Sequence, residues 1–261
     1  MAGPPDVAQI ACFDTAFHHT MPRVAQQFAL PRAISATGVR RYGFHGLSFE
    51  WIARRLSSEA PMLAQGRVVV AHLGAGASLC ALDKGVSIAT SMGISVLDGL
   101  VMATRCGSLD PGVIFYLARL GHSLPAIEDM LYSRSGLLGV SGISGDIRVL
   151  LASETPEARE AIALFTYRIA TELGAMASAL GGVDGIVFTA GIGQHSPAIR
   201  TAVCARLGWL GARLNPSAND RNASRISTDD SPIGIRVMAT DEEAMIATHI
   251  LALTTGANAL A

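Results

Sequence analysis

The chain has 261 residues, half of them hydrophobic and 16% charged, with a formal net charge of −1. That composition excludes a disordered chain, and the absence of a basic field argues against a nucleic-acid partner. No run reaches the roughly 18 unbroken apolar residues of a membrane span, and "MAGPPDVAQIACFD" lacks the charged start and apolar core of a signal peptide.

In chain order, "AQIACF" (8–13) reads as a short buried strand delivering Asp14 at its end. "SFEWIARRLSS" (48–58) carries Phe49, Ile52, Ala53 and Leu56 at a helical period, opened by Ser48 as N-cap. "RVVVAHL" (67–73) is β-branched enough for a central strand; it breaks at "GAGAS" (74–78) and resumes as "LCALD" (79–83), two strands joined by a glycine turn. "PGVIFYLARLG" (111–121) predicts a helix with Pro111 at its first position and Gly121 ending it. The longest helix is predicted over 156–180 from the capping residue Thr155, followed by the strand "VDGIVFTAGIG" (183–193) with its glycine-rich end. "PIGIRVMAT" (232–240) is a further strand, leading through Asp241 into the helix "EEAMIATHILAL" (242–253). This order predicts an α/β layout, a mixed sheet flanked by helices.

The four cysteines, Cys12, Cys80, Cys106 and Cys204, lie far apart with no C-x-x-C pair, which suits reduced thiols and a cytoplasmic location. Among the 20 basic residues only Lys84 is a lysine, and Gly85 follows it, so a Walker-type loop is excluded. Any phosphate chemistry must then use arginine, histidine, backbone N–H groups or a metal.

Polar residues gather in glycine-framed loops. "HLGAGAS" (72–78) and "TAGIGQHS" (189–196) each follow a buried strand, where backbone N–H groups can approach phosphate oxygens. Neither has the full G-x-G-x-x-G spacing of a dinucleotide fold. "YGFHGLSFE" (42–50) holds His45, "TRCGSLDPG" (104–112) holds Arg105 and Asp110, and "SGISGDIR" (141–148) holds Asp146 and Arg148. "ATDEEAMI" (239–246) sets three carboxylates at a strand-to-helix junction. Such acids complement a helix dipole, or they hold hydrated magnesium through one or two carboxylates plus phosphates. Together these parts suit phosphoryl transfer, which asks for positioning and charge stabilisation.

Seven ordered blocks, "FDTAFHHTMP", "RRYGFHGLS", "HLGAGAS", "TSMGISVLDGLVMATRCGSLDPG", "SGISGDIR", "VFTAGIGQHSP" and "TDEEAMIA", resemble the acetate kinase family. The resemblance implies a ribonuclease-H-like, actin-type ATPase domain. It also implies reversible transfer of the ATP γ-phosphoryl group to acetate, giving acetyl phosphate and ADP. Propionate or butyrate as acceptor, and an impaired nucleotide-binding module, stand as alternatives.

By resemblance, Asp14 matches an active-site aspartate, here expected to orient acetate and magnesium-bound water. His45 and Arg105 match the pair that stabilises the transferring group. His72, Leu73, Gly74, Ala75 and Gly76 match a nucleotide-phosphate loop. Asp146, Ile147 and Arg148 match an adenosine segment, and Gly191, Ile192, Gly193, Gln194 and His195 a further ATP loop. Glu242 matches a magnesium-linked glutamate, with Glu243 as fallback. Ala75 stands where the family usually has Asn, Phe49 where a second histidine is common, Gln194–His195 where Glu-Asn is usual, and Cys106 where Ser is usual. The resemblance also implies a preceding domain with an Asn-x-Gly-Ser-Ser-Ser-x-Lys stretch and an Arg before His-Gly-Gly; this sequence has neither motif. Residues 1–253 are thus expected to be the C-terminal catalytic and nucleotide-binding region and 254–261 a tail. A homodimer, and a separate chain supplying the preceding domain, are expected partners.

Overall fold

A computed structural model describes residues 9–254; the rest of the expected tail lies outside them. The β-branched run 67–73 forms strand β1 (Arg67–Leu73), and its Val-rich centre is fully buried. The glycine turn folds the chain back into β2 (Ala77–Asp83), antiparallel to β1, and β3 (Val86–Thr90) continues the meander. On the other side of β1, β4 (Gly185–Thr189) and β5 (Gly234–Val237) run parallel to it, giving the order β3-β2-β1-β4-β5. The predicted mixed sheet with flanking helices is present.

Strand alternation divides the core in two. Val69, Ala71 and Leu73 face one layer, packed with Phe165, Ile169 and Leu173 of the long helix Pro156–Ala179. Val68 and Val70 face the other, against Phe49, Ile52 and Leu56 of the helix Gly46–Glu59. His72 shares the parity of Val68 and Val70, so it too faces the Gly46–Glu59 helix. Its partner across the hairpin is Ser78, and across β4 Thr189. The site's polar groups are therefore set at one end of the sheet by the same alternation that builds the core.

Several expectations need correction. Residues 9–13 form no strand, and Phe13 is 69% exposed; an apolar run without a neighbouring strand edge has nothing to pair with. Ser48 is not the N-cap. The helix begins two residues earlier, behind His45, and Ser48 lies inside it, fully buried. The glycine-rich end of β4 is not a turn but a short helix, Ala190–His195, entered through Ala190 at φ 62°. The helices Pro111–Arg119, Pro156–Ala179 and Glu242–Thr254 are close to expectation, with Thr155 capping the second through Ala158 N–H.

Candidate active site

Asp14 sits in a turn beside the start of the Gly46–Glu59 helix and substitutes for a conventional cap. Its Oδ2 accepts from His45 N–H (2.6 Å), its Oδ1 from Leu47 N–H (3.3 Å), and its own carbonyl from Gly46 N–H (2.8 Å). A Cβ on Gly46 would lie 2.2 Å from that carbonyl oxygen, so only glycine allows the approach. His45 is held with φ 58°, a conformation that costs a non-glycine residue and persists only where its surroundings fix it.

The ring of His45 stacks on that of His72, with centroids 4.1 Å apart and planes 12° from parallel. Each ring has a serine at Nδ1: Ser78 Oγ for His45 and Ser48 Oγ for His72, both at 2.8 Å. Burial pushes His45 down to about 4, with the charge on Asp14 opposing and that on Arg105 assisting. Burial pushes His72 down to about 3, with His45 adding to the effect. Both imidazoles are neutral near pH 7.

Arg105 arrives from a loop pinned on the segment after it, where Leu137 N–H donates to Met102 O and Ser135 N–H to Thr104 O. Its Nη1 donates to Val96 O at 2.8 Å. A Cβ placed on Gly76 would lie 2.9 Å from Arg105 Nη2 and 3.1 Å from His45 Nε2. The two predicted transfer residues thus converge on the glycine turn.

On the other side of that turn lies a cleft of about 650 Å³. Three separate predicted segments meet in it: Gly74 and Ala75, then Asp146 to Arg148, then Gly191, Ile192 and His195. His72, Leu73, Gly76, Gly193 and Gln194 do not line it; Leu73 is core, and His72 lies behind the turn. Asp146 caps the helix Ile147–Leu151 through Arg148 N–H and also pairs with the Arg148 guanidinium at 2.6 Å, which holds its carboxyl down at about 2. Two buried hydroxyls, Ser196 Oγ in the cleft and Thr189 Oγ1 next to His72 across the sheet, have no partner among the described residues. Buried polar groups are normally satisfied, so both are suited to a polar ligand.

Glu242 opens the last helix, and its carboxyl is pushed up by burial and by the charge of Asp14. A carboxyl raised in this way by a neighbouring carboxylate is relieved by a divalent cation, and one or two carboxylates are the protein ligands magnesium takes when it is shared with phosphates. Among the described residues no group of three or more His, Cys, Asp or Glu is placed to hold a metal. No helix among them is long and apolar enough to cross a membrane.

Arg200 has no predicted role, yet it is a fully buried side chain. It donates to the carbonyls of Gly193 and Gln194, to Asn219 O and Oδ1, and to Asn222 Oδ1, at 2.6–2.8 Å. It therefore fixes the back of the short Ala190–His195 helix. Its sequence signal is slight: an arginine in the otherwise apolar "AIR" (198–200) just after the block "VFTAGIGQHSP". A second concavity, about 970 Å³ among residues 23–40, contains none of the predicted residues.

The model of the acetokinase family matches residues 2–248. An acetate kinase of Rhodopseudomonas palustris (strain TIE-1) is 59% identical over 257 residues, covering 97% of this chain and 64% of the relative. One from Methylocella silvestris is 55% identical, covering 95% and 62%. Among solved structures, a propionate kinase from Francisella tularensis is 38% identical with a TM-score of 0.86, covering 90% of this chain and 62% of that one. Porphyromonas gingivalis acetate kinase is 36% identical with a TM-score of 0.87, covering 93% and 63%. The fold is accordingly the actin-type ATPase fold of these enzymes, and the chain spans a little under two thirds of the length of its curated relatives.

Proposed function

The chain belongs to the acetokinase family, and we propose that it carries the nucleotide-binding and phosphoryl-transferring portion of an acetate kinase. The reaction is reversible transfer of the ATP γ-phosphoryl group to acetate, giving acetyl phosphate and ADP. One observation carries this reading: three separate glycine-framed segments meet in one cleft, and His45 and Arg105 converge on the turn that borders it.

Acetate is ionised near neutral pH, so the nucleophile needs no base. The barrier is mostly repulsion between a carboxylate and a polyanionic phosphate, which fixed donors and cations lower. Arg105 supplies the cation; burial lowers its pKa, but a guanidinium stays charged. His45, neutral at pH 7, acts as a hydrogen-bond donor from Nε2 while Ser78 occupies Nδ1. Asp14 orients the acceptor and sets His45 through its backbone bond. The segment 72–76 takes the phosphates through its Gly74–Gly76 turn, while Asp146–Arg148 and Gly191–His195 take the nucleoside.

Glu242, with Asp14 beside it, would hold Mg2+. When bound, the ion neutralises phosphate charge and orients the nucleotide.

The reading takes residues 1–253 as one catalytic region of a cytoplasmic homodimer. The dimer is supported by Phe115, Tyr116 and Leu124, exposed on two successive helices, and by Leu120, exposed just past the end of the first. Propionate is a second acceptor to consider, because one structural relative at 38% identity is a propionate kinase.

The test is hydroxamate trapping of acyl phosphate with Mg-ATP and either acid. Product with acetate above the acceptor-free blank supports the reading, and a clear preference for propionate replaces it with the second. No product with either acid, alongside Mg-ATP binding, reduces the reading to a nucleotide-binding portion.

A further inference from the structure

An imidazole has two ring nitrogens, and a chain of hydroxyls decides which one of His72 carries the proton. Thr240 Oγ1 donates to Ser48 Oγ at 2.7 Å, and Ser48 Oγ lies 2.8 Å from His72 Nδ1. A serine hydroxyl has one proton. Thr240 supplies a bond that Ser48 accepts, and among the described residues the Ser48 hydroxyl has no acceptor other than His72 Nδ1, so its own proton goes there. That nitrogen is then the bare acceptor, and the ring proton resides on Nε2.

Three further observations give the tautomer a use. His72 is 8% exposed and stacked against a second imidazole, an environment in which it does not take up a second proton near pH 7. Its Nε2 faces the glycine turn, 3.8 Å from where a Cβ on Gly74 would sit, and Gly74 lines the cleft. Thr240 lies between β5 and the helix that Glu242 opens. The relay therefore ties the turn to the acidic helix start, across three elements far apart in sequence.

We propose that Ser48 and Thr240 are positioning residues that lock His72 in its Nε2–H form, so that a neutral N–H donor faces the phosphate-binding turn. This rests on the reading of residues 72–76 as a phosphate loop. The opposite tautomer would turn a lone pair toward phosphate oxygens and repel them. A charged imidazolium in that place would be buried against His45 and costly to form. A hydroxyl relay obtains the donor without the charge. A hydrogen bond to the far ring nitrogen fixes the tautomer elsewhere too, notably in metal-bound histidines.

The test combines 15N NMR of the histidine-labelled chain at pH 7 with Mg-ATP affinity, His72 signals being assigned by their loss in His72→Gln. The wild-type chain is expected to show His72 with a bare Nδ1 and a protonated Nε2. Ser48→Ala should mix the tautomers and weaken Mg-ATP binding about tenfold, the worth of one hydrogen bond to a charged group. Thr240→Val, at a half-buried position that spares the core, should move both readouts the same way by a smaller factor, and Thr240→Ser should restore them. His72 found as Nδ1–H overturns the proposal. So do Ser48→Ala and Thr240→Val chains with wild-type tautomer and affinity. A wild-type chain that has the Nε2–H tautomer but binds no Mg-ATP overturns the phosphate-loop reading, and with it the role given to the donor.

Discussion

His45 and Arg105, sixty residues apart in sequence, approach the same face of Gly76: a single added methyl there would lie 3.1 Å from His45 Nε2 and 2.9 Å from Arg105 Nη2. The empty side of one glycine is thus the meeting point of the two groups assigned to the transferring phosphoryl.

Gly76→Ala separates function from folding. Gly76 has no positive φ, and the nearest atoms are side-chain ends that can move, so the fold should tolerate the methyl. Displacing Arg105 and His45 by an ångström should cost turnover about 100-fold. Urea unfolding and acyl phosphate formation, measured on the same preparation, check the two halves.

The stacked imidazoles make stability depend on pH. Both folded-state pKa values lie below the ordinary histidine value of 6.5, about 4 for His45 and about 3 for His72. The unfolded chain therefore binds more protons between those values and 6.5. Their stabilisation is complete above pH 6.5 and lost as pH falls toward 4. From pH 7 to pH 5 each neutral ring should forfeit on the order of 2 kcal/mol. Urea midpoints at the two pH values, for the wild-type chain and His72→Gln, should show a smaller loss in the variant; equal losses contradict the assignment.

Arg200→Lys should destabilise the chain by about 3 kcal/mol. A lysine cannot serve five acceptors spread around a planar fork, and the carbonyls of Gly193 and Gln194 would lose donors. Because those carbonyls shape the Ala190–His195 helix, nucleotide affinity should fall together with the urea midpoint.

Asp14→Asn tests the carboxylate pair. It retains one acceptor for the backbone N–H groups of His45 and Leu47, so it should cost about 1 kcal/mol as a weakened cap. It also removes the charge that raises Glu242, so the Glu242 carboxyl should titrate lower. Carboxyl-carbon NMR of Glu242 in the two chains reads that shift.

How much of this was legible in the sequence follows from where the physics is local. "RVVVAHL" announced β1 because a β-branched run is buried on both faces, and Thr155 and Pro111 announced their helices through capping chemistry that acts within one turn. "AQIACF" misled because apolar composition signals burial but not a pairing edge, and residues 9–13 have none. "AGIGQH" read as a turn because its glycines suggest one; what makes it helical includes Arg200 holding its carbonyls from a different helix. The resemblance placed Asp14, His45 and Arg105 by block order. Ser48, Ser78 and Thr240 carried no such signal, since their roles exist only once β1, β2 and the Gly46–Glu59 helix pack together.

The role proposed for Arg105 and His45 is to act on a phosphoryl group delivered by the neighbouring cleft. Acetyl phosphate formation by the wild-type chain and Arg105→Ala, assayed beside their Mg-ATP affinities, tests it most directly. Among the described residues the Arg105 guanidinium bonds the Val96 carbonyl alone, so the variant should fold. Wild-type product formation is expected, with a loss of at least about 100-fold in the variant and Mg-ATP affinity within a few-fold of wild type. Equal turnover in the two chains would contradict it.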